Sequence, residues 1–142
     1  MDEQLAPREV AAKLAAEHSP GWVLELTAEL AGYVRGQELE RIMRVWRLSR
    51  AELGALFGVS RQAVSKWIAG GVPSDRAPQV ADVEAITDLL ERHLKPTRIA
   101  AVVRRRAAGL GDASLIELVT SGRHQEALAL TRRMFTFTDV HG

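Results

Sequence analysis

Apolar residues recur along this chain at spacings of three and four, and nowhere do they alternate with polar ones over the length of a strand. The pattern predicts an all-α protein, a helical bundle of about seven or eight helices. Pro7 opens a first helix reaching to about His18, with Val10, Leu14 and alanines on one side. Ser19-Pro20-Gly21 interrupts it, Ser19 suiting an N-cap and Pro20 the first position of the next helix. Trp22, Val23, Leu26, Leu30, Tyr33 and Val34 follow at helical spacing, and Leu39, Ile42, Met43 and Trp46 stripe a further stretch. Gly32 and Gly36 lie between the two stripes. Each weakens a helix by about 1 kcal/mol relative to alanine, so a break is expected near Gly36.

Downstream of Gly70-Gly71-Val72-Pro73, the residues Val80, Val83, Ile86, Leu89 and Leu90 mark a long amphipathic helix ending near Lys95-Pro96. The last part begins with Ile99, Val102 and Val103 and turns at Gly109-Leu110-Gly111 and at Gly122. These breaks divide the chain into N-terminal helices (1–37), a central segment (38–95) and a C-terminal region (96–142). There is no internal repeat and no low-complexity tract.

The stretch from Ser49 to Gly70 is the most informative. Ser49 and Glu52 have the spacing of a capping box, and Leu53, Leu56 and Phe57 form one apolar face. Gly58 suits a left-handed helix end, and after two residues Ser60 caps a second helix that buries Val64, Trp67 and Ile68. Two helices joined so tightly must cross closely, which accounts for the small residue at Gly54. The second helix then turns Arg61, Gln62, Ser65 and Lys66 outward. Arginine can bond both acceptors of guanine, glutamine can do the same for adenine, and serine and lysine reach phosphates or bases. The helix N-terminus can itself face a phosphate.

Charge supports that direction. The chain has 19 Lys and Arg against 18 Asp and Glu, a net +1. Residues 1–37 hold three bases and six acids (−3), whereas residues 38–71 hold six bases and three acids (+3). The remainder holds ten bases and nine acids (+1), so the positive excess is concentrated in the middle, as on a surface that approaches polyanions.

The stretch resembles a Cro/repressor-type (Xre) helix-turn-helix, and "GVSRQAVSKW" is the typical wording of that family's recognition helix. Gly54 stands where the family more often has alanine, and Arg50 replaces the usual glutamine or threonine. The resemblance implies a DNA-binding domain in which Arg61, Gln62 and Lys66 read bases while Arg50 and Ser60 approach phosphates. Ser65 lies on the same outward stripe. Trp67, spaced with Val64, is expected in the core rather than as a base-stacking platform.

A second resemblance lies downstream. The segment Leu110-Gly111-Asp112-Ala113-Ser114-Leu115-Ile116-Glu117-Leu118-Val119, with Gly122 and Ala127-Leu128, is similar to the toxin-binding region of Xre/ParS-type antitoxins. Asp112 replaces that family's second glycine, and Leu115 stands where proline is usual. The resemblance implies an antitoxin that represses its own operon and neutralises a cognate RES-type toxin, an enzyme acting on NAD, through the C-terminal region. It leaves residues 1–37 unmatched.

On physical grounds, Leu115, Ile116, Leu118, Val119, Ala127, Leu128 and Leu130 exceed what two short helices bury between themselves. The excess faces the long helix, a second subunit or another protein. Leu115, Leu118, Arg133, Phe135 and Phe137 are the candidate partner-binding residues, although the two phenylalanines also suit packing back on the domain. Arg104-Arg105-Arg106 reads as a solvated helix face. Trp22, Leu26, Leu30 and Tyr33 suit either a dimerisation arm or a cover for the core.

Catalysis finds no support. Cysteine is absent, and His18, His93, His124 and His141 are scattered without metal-ligand spacing. No cofactor, no catalytic group and no metal site is expected. No apolar run approaches the ~20 residues of a membrane span, and Met1-Asp2-Glu3-Gln4 lacks the character of a secretory signal. The expectation is therefore a cytoplasmic homodimer that binds a pseudo-palindromic double-stranded operator and a toxin encoded next door. The alternative is a stand-alone Xre-family regulator whose C-terminal region only dimerises. A third reading, from another class, is a protein-interaction adaptor with a vestigial helix-turn-helix.

Overall fold

Local capping sets the helix boundaries. The computed structural model describes residues 6–141, with side chains as far as Thr136. These residues form eight α-helices: α1 (Pro7–Glu17), α2 (Pro20–Trp46), α3 (Arg50–Phe57), α4 (Arg61–Gly70), α5 (Ala77–His93), α6 (Pro96–Arg104), α7 (Leu115–Thr120) and α8 (His124–His141). A single 3₁₀ turn at Ala108–Leu110 precedes α7. Among the described residues the one β-type pairing is an isolated bridge between Ala107 and Ala113, so the all-α expectation holds. None of these helices is long and apolar enough to cross a membrane.

The expected break at Gly36 does not occur. Helix α2 runs for 27 residues across it, so the boundary drawn at residue 37 falls inside a continuous helix. The reason is close approach. A Cβ at Gly36 would lie 2.4 Å from the Trp67 carbonyl oxygen of α4, and one at Gly32 would lie 3.2 Å from that of Val72. The Gly32 carbonyl also accepts a hydrogen bond from the Val72 N–H at 3.1 Å. These glycines weaken the helix locally but allow α4 and its exit loop to seat on it.

One apolar core runs from Leu39, Ile42 and Trp46 of α2, through Leu53, Val64, Val83 and Leu90, to Leu115, Leu118 and Phe135. Helix α5 packs along α8, and α7 is held by α3, α6 and α8. The turn near Lys95-Pro96 therefore joins two parts of one core rather than two domains. Buried Trp46 donates its Nε1–H to Thr87 Oγ1 at 2.9 Å, and Thr87 in turn donates to the Val83 carbonyl at 2.7 Å.

Charged side chains lock the outside of this core. Arg41 bonds Glu38, Asp88 and Glu91 at 2.7, 2.8 and 2.6 Å, tying α2 to α5. Burial favours its neutral form, but the three carboxylates outweigh burial and hold the guanidinium above its ordinary pKa. Arg104 is not merely part of a solvated face. Its guanidinium donates to the carbonyls of Trp46 and Arg47 at 2.8 Å each, and to Ala100 at 2.7 Å, closing the C-terminal end of α2.

Candidate nucleic-acid interface

Two short helices build the site. Ser49 Oγ accepts from the Glu52 N–H at 3.1 Å while Glu52 accepts from the Ser49 N–H at 2.8 Å, a complete capping box at the start of α3. The same backbone donor holds the Glu52 carboxyl below its ordinary range. Gly58 ends α3 at φ 69°, a left-handed conformation that suits glycine. Arg76 donates to the Phe57 carbonyl at 3.1 Å. Ser60 then caps α4 by accepting from the Ala63 N–H at 3.0 Å.

Close crossing of the two helices depends on Gly54. A Cβ there would stand 2.7 Å from the Val59 carbonyl oxygen, so the alanine common in the resembling family would force this turn open. Val64 and Trp67 of α4 are buried, and the Trp67 and Phe57 rings are tilted by 57° with centroids 6.3 Å apart. Trp67 is a core residue, as its spacing implied.

With that face buried, Arg61, Gln62 and Lys66 are exposed together on the other face of α4, and Ser65 is half-buried beside them. Exposed Arg50, at the start of α3, donates from Nη1 to Ser65 Oγ at 2.8 Å. Ser60 is exposed at the head of α4. The structure thus gathers all six sequence-derived candidates on α4 and the adjoining start of α3. The Arg50–Ser65 bond leaves the guanidinium further donors and braces α4 against α3.

The candidate partner residues fare differently. Leu115 and Leu118 are wholly buried in the chain's own core. The apolar excess expected of α7 and α8 is taken up by α3, α5 and α6, so neither leucine forms a surface in this conformation. Phe135 is buried too, stacked on His93 of α5 with ring centroids 4.4 Å apart. Arg133 is exposed. The side chain of Phe137 lies outside those described.

Around α7 the sequence reading missed four features. Ser114 and Glu117 form a second capping box, and Glu117 also pairs with Arg106 at 2.7 Å. The Arg106 hydrogen bond, joined by the Ser114 backbone donor, pulls the Glu117 pKa down to about 2. His124 meets Asp82 at 2.6 Å, pinning the start of α8 to α5. Asp112 has φ 62°, directly after Gly111 at φ 67°. A left-handed backbone favours glycine, the residue that Asp112 replaces in the resemblance.

Among the described residues no group of His, Asp and Glu could hold a metal ion. These features define the class as an all-α helical bundle in which a capped helix-turn-helix presents a basic, polar helix face. No protein-family model matches the chain, and no curated protein matches it. Among solved structures it is similar to one chain of the crystal structure of the M. tuberculosis MbcT–MbcA toxin–antitoxin complex. The TM-score is 0.57 at 22% identity, covering 70% of this chain and 91% of that one. The two share a fold.

Proposed function

We propose that this chain is a DNA-binding antitoxin of the Xre type, which represses its own operon and neutralises a cognate RES-type toxin. The observation that carries the DNA reading is the joint exposure of Arg61, Gln62 and Lys66 on a helix whose opposite face is locked by Val64 and Trp67. A rigid helix with that outer face fits a major groove, where Arg61 and Gln62 have the donors to read guanine and adenine. Arg50 and Ser60 supply phosphate contacts, Lys66 on the same face as Arg61 and Gln62 reaches a base or a phosphate, and Ser65 is held by Arg50 at the groove edge. As a homodimer, the protein inserts two α4 helices into successive major grooves of a pseudo-palindrome. It acts by binding, without catalysis or a cofactor.

The antitoxin half of the reading rests on the second resemblance and on the fold shared with a chain of a toxin–antitoxin complex. Buried Leu115, Leu118 and Phe135 give this region its shape, while exposed residues such as Arg133 meet the toxin. One observation favours a second reading, a stand-alone regulator: the apolar residues of the C-terminal region are consumed by the chain's own core.

The DNA reading is tested by fluorescence anisotropy with duplex DNA from upstream of the gene. Binding is expected to prefer that DNA over a scrambled duplex and to weaken steeply with salt. Arg61→Ala is expected to lose about 1–3 kcal/mol of discrimination while the fold survives. Equal losses on specific and scrambled DNA would overturn the assignment of Arg61 as a base reader.

A further inference from the structure

Helix α2 carries two apolar stripes that face opposite ways. Its buried residues are Gly36, Leu39, Ile42 and Trp46, all in its C-terminal half. At 3.6 residues per turn, the stripe of Trp22, Val23, Leu26, Leu30, Tyr33 and Val34 lies roughly 180° round the helix from the one that faces the core. It is not a cover for the core. Trp22 is 39% exposed, Leu30 55%, Tyr33 49% and Val34 59%. The end of α1 covers it only in part: His18 stacks on Trp22 with ring centroids 3.7 Å apart and Val23 and Leu26 are half-buried, while α1 has no buried residue of its own.

The order of residues in this stripe says what covers it. Read outward from Ala28 in either direction, the apolar positions coincide: Leu26 with Leu30, Val23 with Tyr33, and Trp22 with Val34. Val23, Leu26, Leu30 and Tyr33 alternate spacings of three and four, as a coiled-coil seam does. A two-fold interface requires that residue i meet j while j meets i, and a stripe that reads the same in both directions meets this condition when it packs antiparallel on its own copy. The outer layers then set a large ring against a valine, which fills space evenly. Two such faces bury on the order of 1,000 Å², the lower bound for a specific interface.

We infer that the stripe of residues 22–34 of α2 is an antiparallel pairing surface for a second copy of this chain, with the two-fold axis level with Ala28, whose own side chain lies on the opposite face of the helix. The arm continues without a break into the segment on which α4 sits, through Gly36 beneath Trp67. Pairing two arms therefore fixes the separation of two α4 helices. The inference stands without the DNA or toxin readings, because its test reads only chain association.

The chain has no cysteine, so introduced thiols report contacts cleanly. Light scattering on the full chain is expected to give twice the 15.6 kDa monomer mass. Leu30→Glu, on an exposed surface, is expected to give the monomer mass with an unchanged helical circular dichroism signal. Leu26→Cys and Leu30→Cys chains, mixed and oxidised, are expected to crosslink to each other far faster than either does alone. A monomeric wild type, or a dimer indifferent to Leu30→Glu, would overturn the surface. Rapid crosslinking of Leu26→Cys alone would overturn the antiparallel register.

Discussion

Replacing Gly36 by alanine probes the contact that organises the helix-turn-helix. In an exposed helix interior the substitution would stabilise by about 1 kcal/mol. Here the new methyl would lie 2.4 Å from the Trp67 carbonyl oxygen and 3.3 Å from that of Ile68, both backbone atoms of α4. Restoring the 3.0 Å that real Cβ atoms keep requires α4 to withdraw by at least about 0.6 Å. Overpacking of this kind costs roughly 1–3 kcal/mol, and the Gly32–Val72 hydrogen bond beside it is strained as well. Setting the gain of about 1 kcal/mol in helix propensity against it leaves a net loss of up to about 2 kcal/mol. Gly21→Ala is the control, since nothing lies within 4 Å of its Cβ position. Urea unfolding followed by circular dichroism should lower the midpoint for Gly36→Ala and raise it, or leave it unchanged, for Gly21→Ala. A Gly36→Ala protein about 1 kcal/mol more stable than the wild type, the gain of an unobstructed helix position, would refute the seating of α4 on α2.

Three further outcomes follow from the same contacts. Thr87→Val keeps the shape of the side chain but leaves buried Trp46 Nε1 without its acceptor, so urea unfolding should show a loss of about 1–3 kcal/mol. Asp112→Gly relieves a left-handed backbone and should stabilise by about 0.5–1 kcal/mol, read as a higher urea midpoint. The Glu117 carboxyl titrates near 2 in the folded chain, held there first by Arg106 and then by the Ser114 backbone, against about 4.3 when unfolded. Its contribution is thus complete above about pH 4.3 and is lost as pH falls towards 2. Glu117→Gln should flatten the dependence of the unfolding midpoint on pH across that window, and an unchanged slope would count against the pairing.

Helices and caps were legible because their signals are local. Ser19, Ser49 and Ser60 cap where their position before a helical apolar pattern implies, and Gly58 turns where it must. The face of Arg61, Gln62 and Lys66 followed from the burial of Val64 and Trp67 at helical spacing. Gly36 misled because the helix-breaking tendency of glycine is local, whereas the contact that retains it is made by a helix 31 residues away, at Trp67. Leu115 and Leu118 misled for a related reason: the apolar excess of α7 is visible in sequence, but the helices that absorb it are not. Arg104 reads as one of three adjacent arginines, and only the fold reveals that it meets the open carbonyls of α2.

The shared core also bears on how the antitoxin reading is tested. Removing residues 96–142 would strip Ile99, Leu115, Leu118 and Phe135 from that core and unfold the remainder, so a deletion cannot locate a toxin surface. The full chain should instead be co-expressed with the product of the adjacent reading frame, and the tagged protein followed by size-exclusion chromatography. The account predicts a stable complex of the two proteins, relief of the growth arrest that the neighbour causes alone, and weakening of both by Arg133→Glu. A chain that elutes without the neighbour and leaves the arrest in place would contradict the antitoxin reading.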